Sequence, residues 1–437
     1  MSRPIVAIIG RQNVGKSTLL NRLAGRRIAI VEDLPGTTRD RVVADVSWRG
    51  AEFTMVDTGG MELKPESTIA LEVQEQVEVA ITEADIIVFL VDVRDGVMAT
   101  DQEVANMLRR ANKPLLLVAN KADNDRLETQ AVEFYELGLG EPVAVSAYHG
   151  RGIPELVDRV TSLLPAPSPA GAEPEALKVA IVGRPNVGKS TLLNALLGDE
   201  RTIVDAAPGT TRDAIDTLVD FEGESVLLID TAGIKRRGRI GVGVGQYSVI
   251  RALRAIERSD IALLVLDAGQ LVAAQDTHIA GYIQQAAKGI IIVVNKWDLI
   301  EAGSTADWDR YVMSQFRFMA HAPVLFVSAK LGWGVDKIMP QVRQIFKERL
   351  KRLSTAVVNS VVQEAVASHG LPRKGSRQLK ILYATQAEVN PPTFVFFVNY
   401  PQLMHFSYQR YLENRLRRAF GFNGTPIRFV FKTRGES

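Results

Sequence analysis

The stretch GRQNVGKSTLLNRL, Gly10 to Leu23, returns 173 positions later as GRPNVGKSTLLNAL, Gly183 to Leu196. A chain that repeats itself at so long a period is expected to fold as a duplicated unit. Once these two stretches are aligned, further ones fall into register. LPGTTRD (Leu34 to Asp40) meets APGTTRD (Ala207 to Asp213) at offset 173, and VDTGG (Val56 to Gly60) meets IDTAG (Ile229 to Gly233) at the same offset. NKAD (Asn120 to Asp123) meets NKWD (Asn295 to Asp298) at 175, and Ser146-Ala147 meets Ser328-Ala329 at 182. The spacing drifts only in the later part, as insertions in surface loops would make it.

Within each copy short apolar runs alternate with helical patterns. PIVAIIG leads into a glycine turn, and KSTLLNRLAG follows with helical spacing and a glycine stop. DIIVFLVD, PLLLVAN and PVAVSA have the length of buried strands, and the second copy answers with DIALLVLD, GIIIVVN and APVLFVSA. Alternating βα units predict an α/β fold, a mostly parallel sheet with helices on both faces. The predicted division is a first nucleotide domain over 1–165, a proline- and alanine-rich linker over 166–176, a second nucleotide domain over 177–351 and a tail over 352–437. The tail reads α, β, β, α, β, a small α+β domain. Its aromatics Phe394, Phe396, Phe397, Tyr400, Phe406 and Tyr408 are expected to be core rather than a platform for bases.

Charge is distributed unevenly. Residues 351–437 hold 13 Lys and Arg against 4 Asp and Glu, a balance of +9, and the rest of the chain carries −7. A basic tail on an acidic body predicts a polyanionic partner for the tail. There is no cysteine, which excludes disulfides and cysteine-ligated metal and suits a reducing compartment. The apolar runs are far shorter than the ~20 residues of a membrane helix. The first residues lack a signal-peptide layout. A cytoplasmic, monomeric protein away from membranes is therefore expected.

Each shared motif has a chemical reading. The loop Gly10-Arg11-Gln12-Asn13-Val14-Gly15-Lys16-Ser17 is a phosphate cradle, and Gly183-Arg184-Pro185-Asn186-Val187-Gly188-Lys189-Ser190 repeats it. Its glycines let backbone N–H groups face phosphate, Lys16 and Lys189 reach the terminal phosphates, and Ser17 and Ser190 can ligate Mg²⁺. Asp57 and Asp230 end apolar strands and can hold the same ion, with Thr58, Gly59, Gly60 and Thr231, Ala232, Gly233 following. Gly60 and Gly233 can offer an N–H to the γ-phosphate. One hydroxyl of Thr37-Thr38, and one of Thr210-Thr211, can reach Mg²⁺ and the γ-phosphate, a contact that orders a segment with triphosphate and frees it on hydrolysis.

Asn120-Lys121-x-Asp123 and Asn295-Lys296-x-Asp298 choose the base. The carboxylate can accept from guanine N1–H and the 2-amino group, which adenine does not offer. Adenine would leave that charge unpaired, at a cost of roughly 10³-fold in affinity. The lysines are expected over the base, with the Ser146-Ala147 and Ser328-Ala329 backbone donating to guanine O6. GTP and GDP are thus the expected ligands. Met61 and Ile234 stand where many switch GTPases carry a water-orienting glutamine. Either turnover is weak, making the chain a nucleotide-gated RNA-binding scaffold, or another group supplies that function. Asn13 and Asn186 can help hold a monovalent cation at the phosphates, or can serve only as turn residues.

The array of two complete motif sets followed by a basic α+β tail resembles the bacterial Der (EngA) family of tandem GTPases over essentially the whole length. The resemblance implies two Ras-like P-loop domains and a KH-like C-terminal domain. It further implies Mg²⁺-dependent, K⁺-stimulated GTP hydrolysis and a role in late assembly of the large (50S) ribosomal subunit, with rRNA as partner. It also assigns the switch threonines to Thr38 and Thr211, and K⁺ to Asn13 and Asn186. GFNG (Gly421 to Gly424) has the form of a GxxG clamp but falls between the last helix and the last strand, so a helix cap and turn is expected. RNA contact would then rest on PRKGSRQLK and RLRR. After their second switch motifs the copies part, the first running acidic and the second basic and glycine-rich.

Overall fold

A computed structural model of the chain describes residues 3–25, 43–58, 77–78, 80–111, 113–165, 176–198, 216–229, 249–270, 272–300, 305–374 and 377–433. The chain forms two compact units, residues 1–171 with 248–251 and residues 172–247 with 252–437.

In the first unit, β1 (Ile5–Ile9), β2 (Val43–Trp48), β3 (Ala51–Asp57), β4 (Ile86–Asp92), β5 (Leu115–Asn120) and β6 (Val143–Ala144) form one sheet in the order β2-β3-β1-β4-β5-β6. Only the β2–β3 pair is antiparallel. Every residue of β1 and β4 is buried, because strands covered by helices on both faces have no solvent side to make polar. Its helices include α1 (Lys16–Gly25), α2 (Ala99–Arg110), α3 (Asp125–Gln130) and α4 (Ile153–Leu163). PVAVSA yields a two-residue strand rather than a full one. Its chain turns away from the sheet edge to bridge Ser146 with Arg151.

The second unit repeats the plan. Strands β7 (Leu177–Val182), β8 (Thr217–Phe221), β9 (Glu224–Ile229), β10 (Ile261–Asp267), β11 (Gly289–Asn295) and β12 (Val324–Phe326) lie in the order β12-β11-β10-β7-β9-β8, the same sequence of equivalents. Helices α5 (Lys189–Leu197), α6 (Val249–Arg258), α7 (Ala274–Gln285), α8 (Thr305–Gln315) and α9 (Ile338–Arg349) accompany them.

The tail follows with α10 (Thr355–Ser368), a short hairpin of β13 (Arg373–Lys374) and β14 (Arg377–Gln378), then β15 (Ile381–Val389), β16 (Pro392–Val398), α11 (Phe406–Phe420) and β17 (Arg428–Lys432). Its sheet order is β15-β16-β17, antiparallel then parallel. One face packs Phe394, Phe396 and Leu379 against Val358, Leu412 and Leu416 of the two helices. Of the expected core aromatics, Phe394, Phe396 and Tyr408 are buried. Phe406 is exposed, and Phe397 and Tyr400 are half-buried.

GFNG is a docking loop. Gly421 ends α11 at φ 90°, its N–H bonded to Arg417 O at 2.8 Å. Gly424 accepts from Ile290 N–H at 2.8 Å and donates to His321 O at 2.7 Å, extending the β12 edge of the second sheet by one rung. A Cβ on Gly424 would lie 2.4 Å from Ile345 Cδ1. Arg349 locks the contact: it is 2 % exposed and donates to Asn390 Oδ1 at 2.6 and 3.0 Å, Ala287 O at 3.0 Å and Thr425 Oγ1 at 2.9 Å. Burial pulls its pKa down to about 10. Arg417 of RLRR is likewise engaged, donating to Phe422 O, Thr425 O and Glu413. It shapes this loop and is not available to phosphate, so within that segment the expected contact falls to Arg415 and Arg418. Among the described residues no helix is long and apolar enough to cross a membrane.

Candidate nucleotide site

The phosphate loop leaves β1 at Gly10 and enters α1 at Lys16, and its second copy leaves β7 at Gly183 and enters α5 at Lys189. The two outer glycines of each loop are required by what crosses behind them. A Cβ on Gly10 would sit 2.3 Å from Leu90 O, and one on Gly183 2.4 Å from Val265 O. At Gly15 it would meet Asn120 Nδ2 at 2.3 Å, and at Gly188 Asn295 Nδ2 at 2.2 Å.

That last contact assigns a use to the asparagine of each base motif. Asn120 donates to Val14 O at 2.8 Å and accepts from Ala147 N–H at 3.0 Å. Asn295 donates to Val187 O and accepts from Ala329 N–H, both at 2.9 Å. Each asparagine thereby ties three motifs, far apart in the chain, into one wall.

Lys16 Nζ donates to Gly10 O and Arg11 O, both at 2.7 Å, and Lys189 Nζ donates to Gly183 O at 2.8 Å and to Arg184 O. Burial lowers the Lys16 pKa, against the pull of Asp57. Ser17 Oγ donates to Asp57 Oδ2 at 2.7 Å, so the two expected Mg²⁺ ligands of the first copy converge from α1 and the end of β3. Thr58 is turned inward and bonds Ile8 O at 2.8 Å. Asn13 and Asn186 are exposed in left-handed conformation, φ 63° and 64°, and neither side chain is hydrogen-bonded among the described residues.

In the base motifs, Ser146 Oγ donates to Asp123 Oδ1 at 2.6 Å and Ser328 Oγ to Asp298 Oδ1 at 2.5 Å. The Ser146 bond, helped by Arg94, holds the Asp123 carboxyl below its usual range. Lys121 and Lys296 turn through φ 67° and 62° and pair with Asp92 and Asp267, at the ends of β4 and β10. The sites differ beside the base motif. Arg94 pairs with the outer oxygen of Asp123, and at offset 175 the second copy has Gly269, which has no side chain to do so.

One pair was not anticipated. Arg11 Nε meets Asp101 Oδ1 at 2.9 Å, and Arg184 Nε meets Asp276 Oδ2 at 2.8 Å. Both aspartates are fully buried, and burial raises the pKa of each. They sit in the first turn of α2 and α7, accepting from Met98 and Ala273 N–H. Each pair orients the arginine whose carbonyl receives the loop lysine. The signal was available in the repeat, since Asp101 and Asp276 align at offset 175.

Thr38, Gly59, Gly60, Met61, Thr211, Asp230, Thr231, Ala232, Gly233 and Ile234 lie outside the described residues, as do the stretch 166–175 and most of both second switches.

Comparison with known proteins decides the family. A model described as "50S ribosome-binding GTPase" matches residues 5–121 and again 178–296, and one described as "KH-domain-like of EngA bacterial GTPase enzymes, C-terminal" matches 352–432. GTPase Der of Moorella thermoacetica is 53% identical over 435 residues, 99% of each chain. GTPase Der of Desulfitobacterium hafniense is 51% identical over 439 residues, 100% of this chain and 99% of that one. This chain belongs to the Der family. It is a GTP hydrolase with two P-loop α/β GTPase folds and a KH-like tail, as the resemblance implied.

Proposed function

We propose that this Der GTPase acts in the cytoplasm as a monomer in late assembly of the 50S subunit, binding rRNA through its tail. The observation that carries the reading is the docking of the tail, within its unit, onto the second α/β sheet: Gly424 completes the edge of the same strand, β11, that ends at the base-motif Asn295. A basic domain is thereby fastened to a nucleotide-binding sheet. The family description as a 50S ribosome-binding GTPase supports the partner.

We assign phosphate contact and transition-state charge to Lys16 and Lys189, base selection to Asp123 and Asp298, and the switch contacts to Thr38 and Thr211. Ser17 and Asp57, whose side chains already meet, would hold Mg²⁺ with Thr38, and Ser190 with Asp230 and Thr211 would do so in the second copy. The ion supplies charge neutralisation of the β- and γ-phosphates. The unengaged carbonyls of Asn13 and Asn186 favour K⁺ at the phosphates over a purely local turn bond. The division at 1–165, 166–176, 177–351 and 352–437 belongs to the same proposal.

The test is co-sedimentation of the chain with 50S particles in GDP and in a non-hydrolysable GTP analogue, alongside depletion in cells. The reading requires nucleotide-dependent association and a build-up of 50S precursors. Equal binding in both states together with normal 50S profiles would refute it.

A further inference from the structure

The tail sheet has two unlike faces. Alternation along the strands sends Ala384 and Gln386, Phe394 and Phe396, and Phe429 and Phe431 towards α10 and α11. The opposite face carries, in one row across the three strands, Tyr383, Phe397 and Lys432, and in the next Thr385, Val395 and Val430. None of these six belongs to the tail's core cluster. Tyr383 is 43% exposed and Val430 37%, and the other four are half-buried, so each of the six keeps some surface. Tyr383 and Phe397 stack nearly parallel, centroids 4.3 Å apart at 16°, whereas Phe394 meets Phe422 and Phe429 edge-on at 87° and 89°.

Cations gather at the same end. The β13–β14 hairpin is fastened there by Asn399, which donates to Gln378 O at 2.9 Å and accepts from Lys380 N–H at 2.7 Å. The hairpin's Arg377 lies over the Tyr400 ring at 5.6 Å. Lys432 flanks Phe397 on the other side. The nearest acid on these strands, Glu388, is at the far end, opposite Thr393. Parallel rings, Tyr383 exposed and Phe397 half-buried, bordered by Lys and Arg in a tail of balance +9, match unpaired bases on a phosphate backbone.

We propose that this outer face binds single-stranded RNA, bases stacking on Tyr383 and Phe397 and phosphates meeting Lys432, Lys380 and Arg377. The proposal rests on the rRNA reading above and places the contact on the sheet. The GFNG tetrapeptide is occupied by Ile290 and His321 of the second α/β sheet and cannot clamp a strand. Duplex RNA, whose bases are already stacked, is not the expected ligand.

The test uses the full chain loaded with GDP, with a labelled 12-nucleotide single-stranded RNA and a 12-base-pair RNA duplex in fluorescence anisotropy. Tyr383→Ala should weaken single-strand binding about tenfold. Tyr383→Phe, which keeps the ring, should stay within about twofold, and GTP turnover should not change in either. Lys432→Ala should lower the salt slope by about one. Equal binding of parent and Tyr383→Ala overturns the proposal and leaves the face to a protein partner. A parent that favours the duplex while still sedimenting with 50S particles overturns the proposal and spares the ribosome reading. A parent that binds neither RNA nor 50S overturns both.

Discussion

Replacing Gly424 by alanine separates the two uses that a GxxG-like tetrapeptide can have. Gly424 sits at φ +69°, where a Cβ costs about 1–2 kcal/mol. The added carbon would lie 2.4 Å from Ile345 Cδ1 and Cγ1, inside a core where Ile345 has no exposed surface. Overpacking of that kind costs ~1–3 kcal/mol. Together the penalty is roughly 2–5 kcal/mol, which in a unit of this size lowers the calorimetric midpoint by roughly 5–15 °C. Asn423→Ala, at an exposed position in the same loop, should stay within about 0.5 kcal/mol. Scanning calorimetry of the full chain reads both. If Gly424→Ala melts with the parent while both variants lose RNA, the loop is a clamp and the docking argument fails.

Lys16→Ala and Lys189→Ala should each weaken GDP binding in their own site by roughly 10–100-fold, from the loss of charge-assisted phosphate contacts, as equilibrium titration of the other site's knockout would show. Asp298→Asn should exchange GTP for xanthosine triphosphate in the second site alone; unchanged GTP preference there removes Asp298 from base selection. Arg94→Ala frees an exposed ion pair on Asp123, worth at most about 1 kcal/mol, so GDP affinity of the first site should rise no more than about fivefold, and less at high salt. GTP turnover should be faster in KCl than in NaCl, and Asn13→Ala with Asn186→Ala should erase the difference; equal rates in both salts would remove the cation.

The repeat made most of this fold readable. Two copies of one motif order, with strands apolar on both faces, leave little besides a parallel sheet under helices, and β4, β10 and β11 are buried throughout. The phosphate loops were legible because glycine, lysine and serine there answer to local geometry. The Asn120 and Asn295 ties were not, since they join loops more than a hundred residues apart. The buried Asp101 and Asp276 were marked only by their alignment in the repeat, and look like ordinary first-turn acids until their arginines are placed. In the tail, hydrophobicity alone could not separate Phe396 from Phe397. Only the sheet register puts one in the core and the other outside. Arg417 misled for a related reason: a basic run says nothing about which of its members a neighbouring loop has claimed.

The rung that Gly424 adds has a consequence for how the duplication is to be understood. At the equivalent strand start of the first unit, Leu115 and Leu116 are half-buried, while Ile290 and Ile291 have no exposure. A fragment ending after α9 would strand the Ile290 N–H, strip Arg349 of Asn390 and Thr425, and uncover Ile345. The second copy has therefore given up its autonomy: it is no longer an exchangeable module, and a truncation stopping short of β17 yields a damaged protein rather than half of a healthy one.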